Sequence, residues 1–292
     1  MEFAGSHILS VEQFGRADIE RVFDVADSMA PYAHRRKITR VLEGAILGNM
    51  FFEPSTRTRV SFGCAFNLLG GEVRETTGIE NSAIAKGESL YDTARVISGY
   101  SDVIAMRHPV SGSVKEFAAA SRVPVINGGD GANAPPTPAL LDLYTIRKEV
   151  QPRGGGIDGL RIAMIGDLRF GRTVHSLSKL LASFDRVHLT CIAPAELRMP
   201  GEIVEALRSR GHTVVESTRI QEERFTSKEE ANLYRGRYRL NQAIYTQYCE
   251  PNTVIMHPLP RDSRVEANEL DPDLNENPNL AIFRQTDNGV LV

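Results

Sequence analysis

Hydroxyl and guanidinium side chains crowd one short stretch, which reads Glu53-Pro54-Ser55-Thr56-Arg57-Thr58-Arg59. An apolar run of strand length ends directly before it, and a helical pattern begins at Ser55. The first N–H groups of a helix lack partners and favour an anion, and arginine adds the planar fork that matches phosphate. The stretch therefore predicts a phosphate site. The alternative is that Ser55 only caps the helix while the arginines are solvated.

A second strand-to-helix turn with an arginine lies in the C-terminal half, at Gly171-Arg172-Thr173. Thr173 is a plausible cap for the helix that follows, and a dicarboxylate fits beside Arg172. The preceding letters, IGDLRFG, lack the GxGxxG spacing of a dinucleotide fingerprint. A nicotinamide cofactor is therefore a weak alternative, and we expect no cofactor.

Alternating helices and short apolar strands have to position both turns. In the first half the patterns predict strands at 45–52, 102–106 and 123–127, with helices at 18–30, 55–69, 88–99, 113–121 and 136–150. In the second half they predict strands at 161–165, 187–192, 212–215 and 253–256, with helices at 173–184 and 201–210. Such alternation is typical of an α/β protein, here with two doubly wound domains, each a parallel β-sheet flanked by helices.

The clearest linker signal separates these halves. It reads Gln151-Pro152-Arg153-Gly154-Gly155-Gly156, and its glycines and proline interrupt helical and strand patterns alike. Because 292 residues exceed the roughly 100–200 of one domain, we expect domains at 1–150 and 151–292.

Composition excludes several classes of protein. Lys and Arg number 34 against 37 Asp and Glu, and the net charge of −3 offers no electrostatic footprint for nucleic acid or an anionic membrane. No apolar run approaches the roughly 18 residues of a membrane span, and the N-terminus lacks a signal-peptide pattern. Cys64, Cys191 and Cys249 form no CxxC pair, which favours a reducing compartment without structural zinc. We expect a cytoplasmic protein that binds no metal, membrane or nucleic acid.

Eight motifs spread over nearly the whole chain resemble the aspartate/ornithine carbamoyltransferase family. They are FFEPSTRTRVSF (51–62), KGESLYDT (86–93), MRHP (106–109), GDGAN (129–133), LLDLYTI (140–146), IGDLRFGRTVHSL (165–177), TRIQEERF (218–225) and HPLPR (257–261). The ornithine branch typically carries HCLP, so HPLP, together with Arg219 and Gln221, favours the aspartate branch. The resemblance implies transfer of the carbamoyl group of carbamoyl phosphate to L-aspartate, giving N-carbamoyl-L-aspartate and phosphate in pyrimidine biosynthesis.

The resemblance also implies which residues bind carbamoyl phosphate. Its phosphate would be held by Ser55, Thr56, Arg57 and Thr58. Arg107, which follows the predicted strand 102–106, would reach both the phosphate and the carbonyl oxygen. Leu259 and Pro260 would present backbone carbonyls to the carbamoyl NH₂ group, a role that requires a rigid turn.

For aspartate, the resemblance implies that Arg172 binds the α-carboxylate, while Arg219 and Gln221 bind the side-chain carboxylate. Lys86 would act in the site of a neighbouring subunit, from a polar stretch (80–88) that predicts a mobile loop. The catalytic residues would be Arg57, Thr58, Lys86 and Arg107. Residues 1–150 would then bind carbamoyl phosphate and residues 151–292 aspartate. The implied assembly is a homotrimer, with a regulatory or dihydroorotase-like chain as a further candidate partner.

Two histidines, His175 and His257, are candidate catalytic imidazoles. Structural roles are favoured for both, because transfer of a carbamoyl group from a phosphate leaving group needs positioning and charge stabilisation more than a protein nucleophile.

Two departures from the family pattern bear on activity. After GDG the family usually carries Asn-x-His-Pro-Thr-Gln, whereas this chain has Pro135 and Pro138 in place of the histidine and the glutamine. In the family those side chains hydrogen-bond the carbamoyl group, and losing one such donor typically costs roughly 10²–10³ in rate. A helix and a strand, roughly 15 residues, are also expected between Val215 and Thr218, which only two residues separate.

These departures leave alternatives to the transferase function. One is a degenerate, weakly active or inactive homologue that serves as a binding or assembly partner. Another is the same fold acting on a different phosphorylated donor or amine.

Overall fold

A computed structural model describes residues 1–78, 83–131, 133, 135–208, 213–217, 238–262, 264 and 268–292. Contacts divide the chain into two compact units, Met1–Leu140 with Gly289–Val292, and Leu141–Asn288. Among the described residues, no helix is both long enough and apolar enough to cross a membrane.

Unit one is built on a sheet of four parallel strands in the order β2-β1-β3-β4. The strands are β1 (Ile46–Phe51), β2 (Glu72–Thr77), β3 (Val103–His108) and β4 (Val125–Asp130). Strand β2 was not expected, because its sequence EVRETT is almost entirely polar. It lies at the edge of the sheet with most of its residues exposed, so it needs no apolar side chains on both faces.

Helices cover both faces of this sheet. They are α1 (Arg16–Ala33), α2 (Thr56–Leu68), α3 (Leu90–Ile97) and α4 (Ser113–Ala120), followed by the start of α5 (Pro136–Val150). Leu47, Phe51 and Ala105 pack beneath Phe62 and Phe66 of α2. The alternate strand residues, which include Met50, Ile104 and Met106, pack with Val114 and Phe117 of α4. This two-sided packing follows from the period of two along a strand, and it confirms the doubly wound arrangement.

The strand order places a switch point between β1 and β3. From β1 the chain crosses to β2 on one side, and from β2 it passes to β3 and β4 on the other side. Crossovers that diverge in this way leave a crevice outside the carboxyl ends of the two central strands, which is where open α/β sheets bind ligands.

Unit two repeats this plan with three parallel strands in the order β6-β5-β7. They are β5 (Arg161–Ile165), β6 (His188–Ile192) and β7 (Thr213–Ser217), and the helices are α6 (Arg172–Leu181), α7 (Gly201–Arg208), α8 (Gln242–Tyr248) and α9 (Ile282–Asn288). Neither α8 nor α9 was predicted. The expected strand at 253–256 is wrong, since only an isolated bridge joins Ile255 to Leu280. Pro258 and Pro260 follow closely, and prolines cannot donate to a ladder.

The contact-based division falls inside α5, ahead of the linker at Gln151, and the boundary at 151 stays a prediction. Polar contacts with α9 explain why the later part of α5 belongs to unit two. Gln285 Nε2 donates to Asp142 Oδ1 at 2.7 Å, and Arg284 donates to both carboxylate oxygens of Glu149, at 2.6 and 3.0 Å.

Replacement of Asp142 by asparagine should remove a pH dependence of stability. Burial raises the pKa of Asp142 to about 7, whereas an unfolded aspartate titrates near about 3.9. The folded state holds the proton more tightly, so this contribution is full below about pH 4 and is lost as the pH rises to about 7. Across that window the wild type should lose roughly 4 kcal/mol of unfolding free energy that Asp142→Asn retains.

Denaturant unfolding at several pH values measures this difference, with Asp287→Asn, an exposed position on α9, as the matched control. Parallel pH courses for the wild type and Asp142→Asn would contradict proton uptake by a buried Asp142.

Candidate functional site

The N-terminus of α2 is open to an anion. Ser55 occupies the N-cap position with extended backbone, yet its side chain makes no capping hydrogen bond, and the first turn holds no acidic residue. The first N–H groups of α2 are therefore not met by the side chain that normally meets them. Ser55 and Thr58 are half-buried, and Thr56 and Arg57 are exposed. The alternative in which Ser55 serves only as a cap is not supported.

Arg107 joins this helix start through the register of the sheet. It pairs with Phe51, the last residue of β1, and the strand period puts its side chain on the same face as Ala105, beneath α2. Ser55–Thr58 and Arg107 thus lie at the same end of the sheet, at the switch point between β1 and β3, and we refer to these five residues as the cradle.

The guanidinium of Arg107 forms an ion pair with the carboxylate of Glu53. Both Nε and Nη2 of Arg107 lie 2.8 Å from Glu53 Oε2, and Nη1 lies 3.5 Å from the carbonyl oxygen of Gly128. A phosphate that binds Arg107 has to displace the Glu53 carboxylate or share the guanidinium with it. Gly129 lets the Arg107 side chain pass close to the backbone of β4. Its own backbone is left-handed (φ +130°), and a Cβ there would lie 3.1 Å from Arg107 Nη1.

Arg59, the second arginine of the stretch, has a different role from the one its position suggests. Its guanidinium pairs with Glu75 of β2, and Asn49 Nδ2 donates to both the Arg59 carbonyl and Glu75 Oε1, each at 3.0 Å. Arg59 therefore ties α2 to the sheet. Because β2 was not predicted, this partner of Arg59 was not predicted either.

His108 and Asp130 support the turn behind Arg107. The main-chain N–H of Val110 donates to His108 Nδ1 at 3.1 Å, and that of Gly112 donates to Asp130 Oδ2 at 2.9 Å. Burial lowers the pKa of His108, so its ring is neutral at pH 7. Neither residue was singled out from the sequence for this role.

The two unexpected prolines lie at the start of α5. The helix begins at Pro136, directly after the buried Pro135, and Pro138 is half-buried in its first turn. Proline is tolerated here because the first N–H groups of a helix have no intrahelical partner. Within the described residues, the hydroxyl of Thr137 is buried without a hydrogen-bond partner. The prolines preserve the helix start and remove the two polar side chains that the resemblance led us to expect.

Lys86 ends a 3₁₀ turn, Ala83–Lys86, and is exposed. The loop predicted at 80–88 is therefore partly ordered in this turn, while residues 79–82 lie outside the described residues. Arg219 and Gln221 also lie outside them.

In unit two, Arg172 is the first residue of α6 and follows the carboxyl end of β5. The expected cap at Thr173 is wrong, because the helix begins one residue earlier with Gly171 as its N-cap. Asp167 Oδ1 accepts from the N–H of Phe170 at 2.9 Å, and a Cβ on Gly171 would lie 2.5 Å from the Asp167 carbonyl oxygen. This tight turn has room only for glycine beside Arg172.

Both candidate imidazoles are engaged by backbone. His175 Nε2 lies 2.8 Å from the Leu168 carbonyl oxygen, and burial lowers the pKa of this histidine. His257 is almost fully buried, and its Nδ1 accepts from the N–H of Leu259 at 2.9 Å. These contacts favour structural roles. Leu259 itself has left-handed backbone (φ +51°), and Pro260 is exposed.

Arg57→Ala should weaken phosphate binding at the cradle by roughly 10- to 100-fold, the cost of a charge-assisted hydrogen bond. Calorimetric titration with inorganic phosphate measures it. Arg36→Ala, which removes an exposed arginine before β1, is the matched control and should leave the affinity unchanged. Equal affinities of Arg57→Ala and the wild type would remove Arg57 from the cradle.

Several known proteins are similar to this chain in sequence and in fold. The family profile described as aspartate/ornithine carbamoyltransferase, carbamoyl-P binding domain, matches residues 6–148. The aspartate carbamoyltransferase catalytic subunit of Saccharophagus degradans is 75% identical over 307 residues, covering 100% of this chain and 91% of that protein. The catalytic subunit of M. jannaschii aspartate transcarbamoylase superposes with a TM-score of 0.87 at 40% identity, covering 98% of this chain and 94% of that one. Aspartate transcarbamoylase from Trypanosoma cruzi, in complex with carbamoyl phosphate and aspartate, gives a TM-score of 0.86 at 36% identity, with coverages of 98% and 94%.

The alignment with the Saccharophagus protein is longer than this chain. It spans 307 positions against 292 residues, so at least 15 positions of that relative have no counterpart here. These 15 positions equal in number the residues of the helix and strand expected before Thr218. Residues 218–237, which follow that point, lie outside the described residues. Identity along the whole chain and the shared fold lead to one conclusion: the chain belongs to the aspartate/ornithine carbamoyltransferase family, among the aspartate carbamoyltransferase catalytic subunits.

Proposed function

We propose that the protein transfers the carbamoyl group of carbamoyl phosphate to the α-amine of L-aspartate, giving N-carbamoyl-L-aspartate and phosphate in pyrimidine biosynthesis. The observation that carries the proposal is the cradle, where an uncapped helix N-terminus meets Arg107 at a topological switch point. A relative that is 75% identical bears the name of this activity.

The cradle residues bind and polarise the donor. The N–H groups of α2, with the Ser55, Thr56 and Thr58 hydroxyls and Arg57, hold the phosphate, and Arg107 bridges phosphate and carbonyl oxygen. As the amine attacks, a C–N bond forms at the carbonyl carbon and negative charge grows on its oxygen. The carbonyl re-forms as the C–O bond to phosphate breaks, and the proton of the amine passes to the departing phosphate. Arg107 and Thr58 act on the growing charge, and Arg57 acts on the leaving phosphate.

Aspartate is the proposed acceptor, bound through its carboxylates. Arg172 takes the α-carboxylate from the first turn of α6, where the helix dipole adds to the guanidinium charge. Arg219 and Gln221 are assigned to the side-chain carboxylate, and Lys86 to the same substrate from a neighbouring subunit. The carbonyls of Leu259 and Pro260 accept hydrogen bonds from the carbamoyl NH₂ group.

Pro135 and Pro138 weaken the chemical step in this scheme. Without the expected histidine and glutamine, the carbonyl oxygen and the amide of the donor lose two side-chain partners, while the phosphate contacts stay complete. Interactions that strengthen as charge develops lower the barrier, whereas phosphate contacts act in substrate and transition state alike. We therefore expect normal donor binding and a low kcat.

The double substitution Pro135→His and Pro138→Gln should raise kcat by at least about 10²-fold, with a much smaller change in KM, because one recovered oxyanion donor has that effect. Formation of N-carbamoyl-aspartate measures it. The melting temperature should change little, since the first helical turn tolerates proline without requiring it.

Ala139→Ser, a substitution one residue further along α5, controls for a general effect of polar groups at the helix start. A folded, phosphate-binding double variant that still forms no N-carbamoyl-aspartate would contradict the proposed cause and would point to the segment missing before Thr218.

The second candidate function is a degenerate homologue that keeps the cradle and serves as a binding or assembly partner. The observation that favours it is the same pair of prolines, since neither can donate or accept through its side chain. Phosphate binding without turnover, in the wild type and the double variant alike, is the outcome that separates this function from the transferase.

We further propose that the protein acts in the cytoplasm as a homotrimer with shared sites, to which a regulatory or dihydroorotase-like chain could add. The exposed Lys86 supports this assembly, because a lysine presented on a turn is available to a second subunit. The three cysteines are free, as expected in a reducing compartment.

Sedimentation equilibrium should give a mass about three times the 32.2 kDa of one chain. In the background of Pro135→His and Pro138→Gln, mixing an Arg57→Ala variant with a Lys86→Ala variant should restore activity, because hybrid trimers contain some sites with both residues. A clean monomer, or mixed subunits no more active than the separate variants, would refute shared sites.

A further inference from the structure

A chain of buried polar groups runs from α5 to the segment 257–262 in unit two. Gln285 Nε2 donates to Asp142 Oδ1 at 2.7 Å, and Gln285 Oε1 accepts from the main-chain N–H of His257 at 3.0 Å. Asp142, Gln285 and His257 are each at most 3% exposed. Hydrogen bonds in such a dry environment are strong and define geometry closely.

The same segment is held at two further points. The N–H of Leu259 donates to His257 Nδ1 at 2.9 Å, and the N–H of Asp262 lies 3.2 Å from both carboxylate oxygens of Glu269. His257 Nε2 lies 2.9 Å from Glu269 Oε1. Three backbone N–H groups of the segment, at positions 257, 259 and 262, thus face acceptors on side chains.

This anchoring sustains an unfavourable backbone conformation. Leu259 has φ +51°, a left-handed region that is unfavourable for a non-glycine residue. Such residues persist where their surroundings over-determine them, and they cluster at ligand sites. Here the surroundings are polar and buried, and an apolar contact in their place would avoid the desolvation of Asp142. Asp142 Oδ2 has no hydrogen-bond partner among the described residues, so the buried carboxyl group is only partly compensated.

We propose that Gln285, supported by Asp142, is a positioning residue that fixes the carbonyls of Leu259 and Pro260, and thereby makes the protein select an acyl phosphate that carries an NH₂ group. The inference rests on the proposed function, in which those two carbonyls accept from the carbamoyl NH₂. Gln285 acts through the N–H of His257 and contacts no substrate.

Acetyl phosphate provides the probe, because it differs from carbamoyl phosphate by a methyl group in place of NH₂. Calorimetry of both ligands, and of inorganic phosphate, should show that Gln285→Leu lowers the preference for carbamoyl phosphate by about tenfold, the value of one to two hydrogen bonds. The affinity for inorganic phosphate should stay unchanged. Hydrogen exchange at residues 257–262 should accelerate in the same variant.

Two variants separate positioning from stability. Asp142→Asn keeps an oxygen acceptor for Gln285 and should retain the preference for carbamoyl phosphate. Arg284 lies beside Gln285 on α9 and pairs with Glu149 of α5. Arg284→Ala breaks that pair without changing the polar chain, so it should lower the melting temperature and retain the preference for carbamoyl phosphate.

The outcomes distinguish this inference from the proposed function. A folded Gln285→Leu variant with an unchanged preference, or a wild type that binds both acyl phosphates equally, overturns the inference. If the wild type forms no N-carbamoyl-aspartate, but Gln285→Leu loses the preference and its 257–262 segment exchanges faster, the proposed function fails and the positioning role stands.

Discussion

The lack of a side-chain cap at the start of α2 is the constraint on which the rest of unit one depends. The Ser55 hydroxyl does not cap the helix, so its first N–H groups call for an anion. Three features keep this helix start in place: β1 ends at the point where the crossovers diverge, Arg59 is tied to β2 through Glu75, and Arg107 projects beneath α2. Glu53 is the anion that pairs with Arg107 in this structure, and its charge would make the proposed binding of the donor an exchange of one anion for another.

Sequence patterns predicted the elements with strong apolar periodicity and the turns that follow them. The strand and helix around Ser55–Thr58, and the helix Pro136–Val150, were expected nearly as they occur, because apolar spacing and an N-terminal proline specify them locally. Strand β2 was missed, since an edge strand can be polar. The pairs Arg59–Glu75 and Arg107–Glu53 were missed with it, because both depend on register between strands, which local sequence does not encode. The roles of Arg219 and Gln221 stay predictions.

The prolines at 135 and 138 show that fold and chemistry make separate demands on the same helix turn. The backbone of a first turn loses almost nothing when proline removes its N–H groups, so α5 begins as it would with other residues. A carbonyl oxygen that gains charge, however, needs donors on side chains, and proline supplies none. Identity of 75% to an aspartate carbamoyltransferase subunit is therefore compatible with the slow chemical step proposed for this chain, because that proposal depends on two positions out of 292.

The proposed donor makes opposite chemical demands on the residues assigned to it in the two units. Phosphate needs donors, which the exposed end of a helix offers at little cost, because water can satisfy them until the ligand arrives. An NH₂ group needs acceptors held at fixed positions. A carbonyl on a flexible segment would turn to water instead, so the role proposed for Leu259 and Pro260 requires a backbone that cannot relax. The proposed role of Gln285 and Asp142 is to supply that rigidity, and the raised pKa of Asp142 reflects the burial of its carboxyl group. On this proposal, selectivity for the donor is accompanied by lower stability near neutral pH.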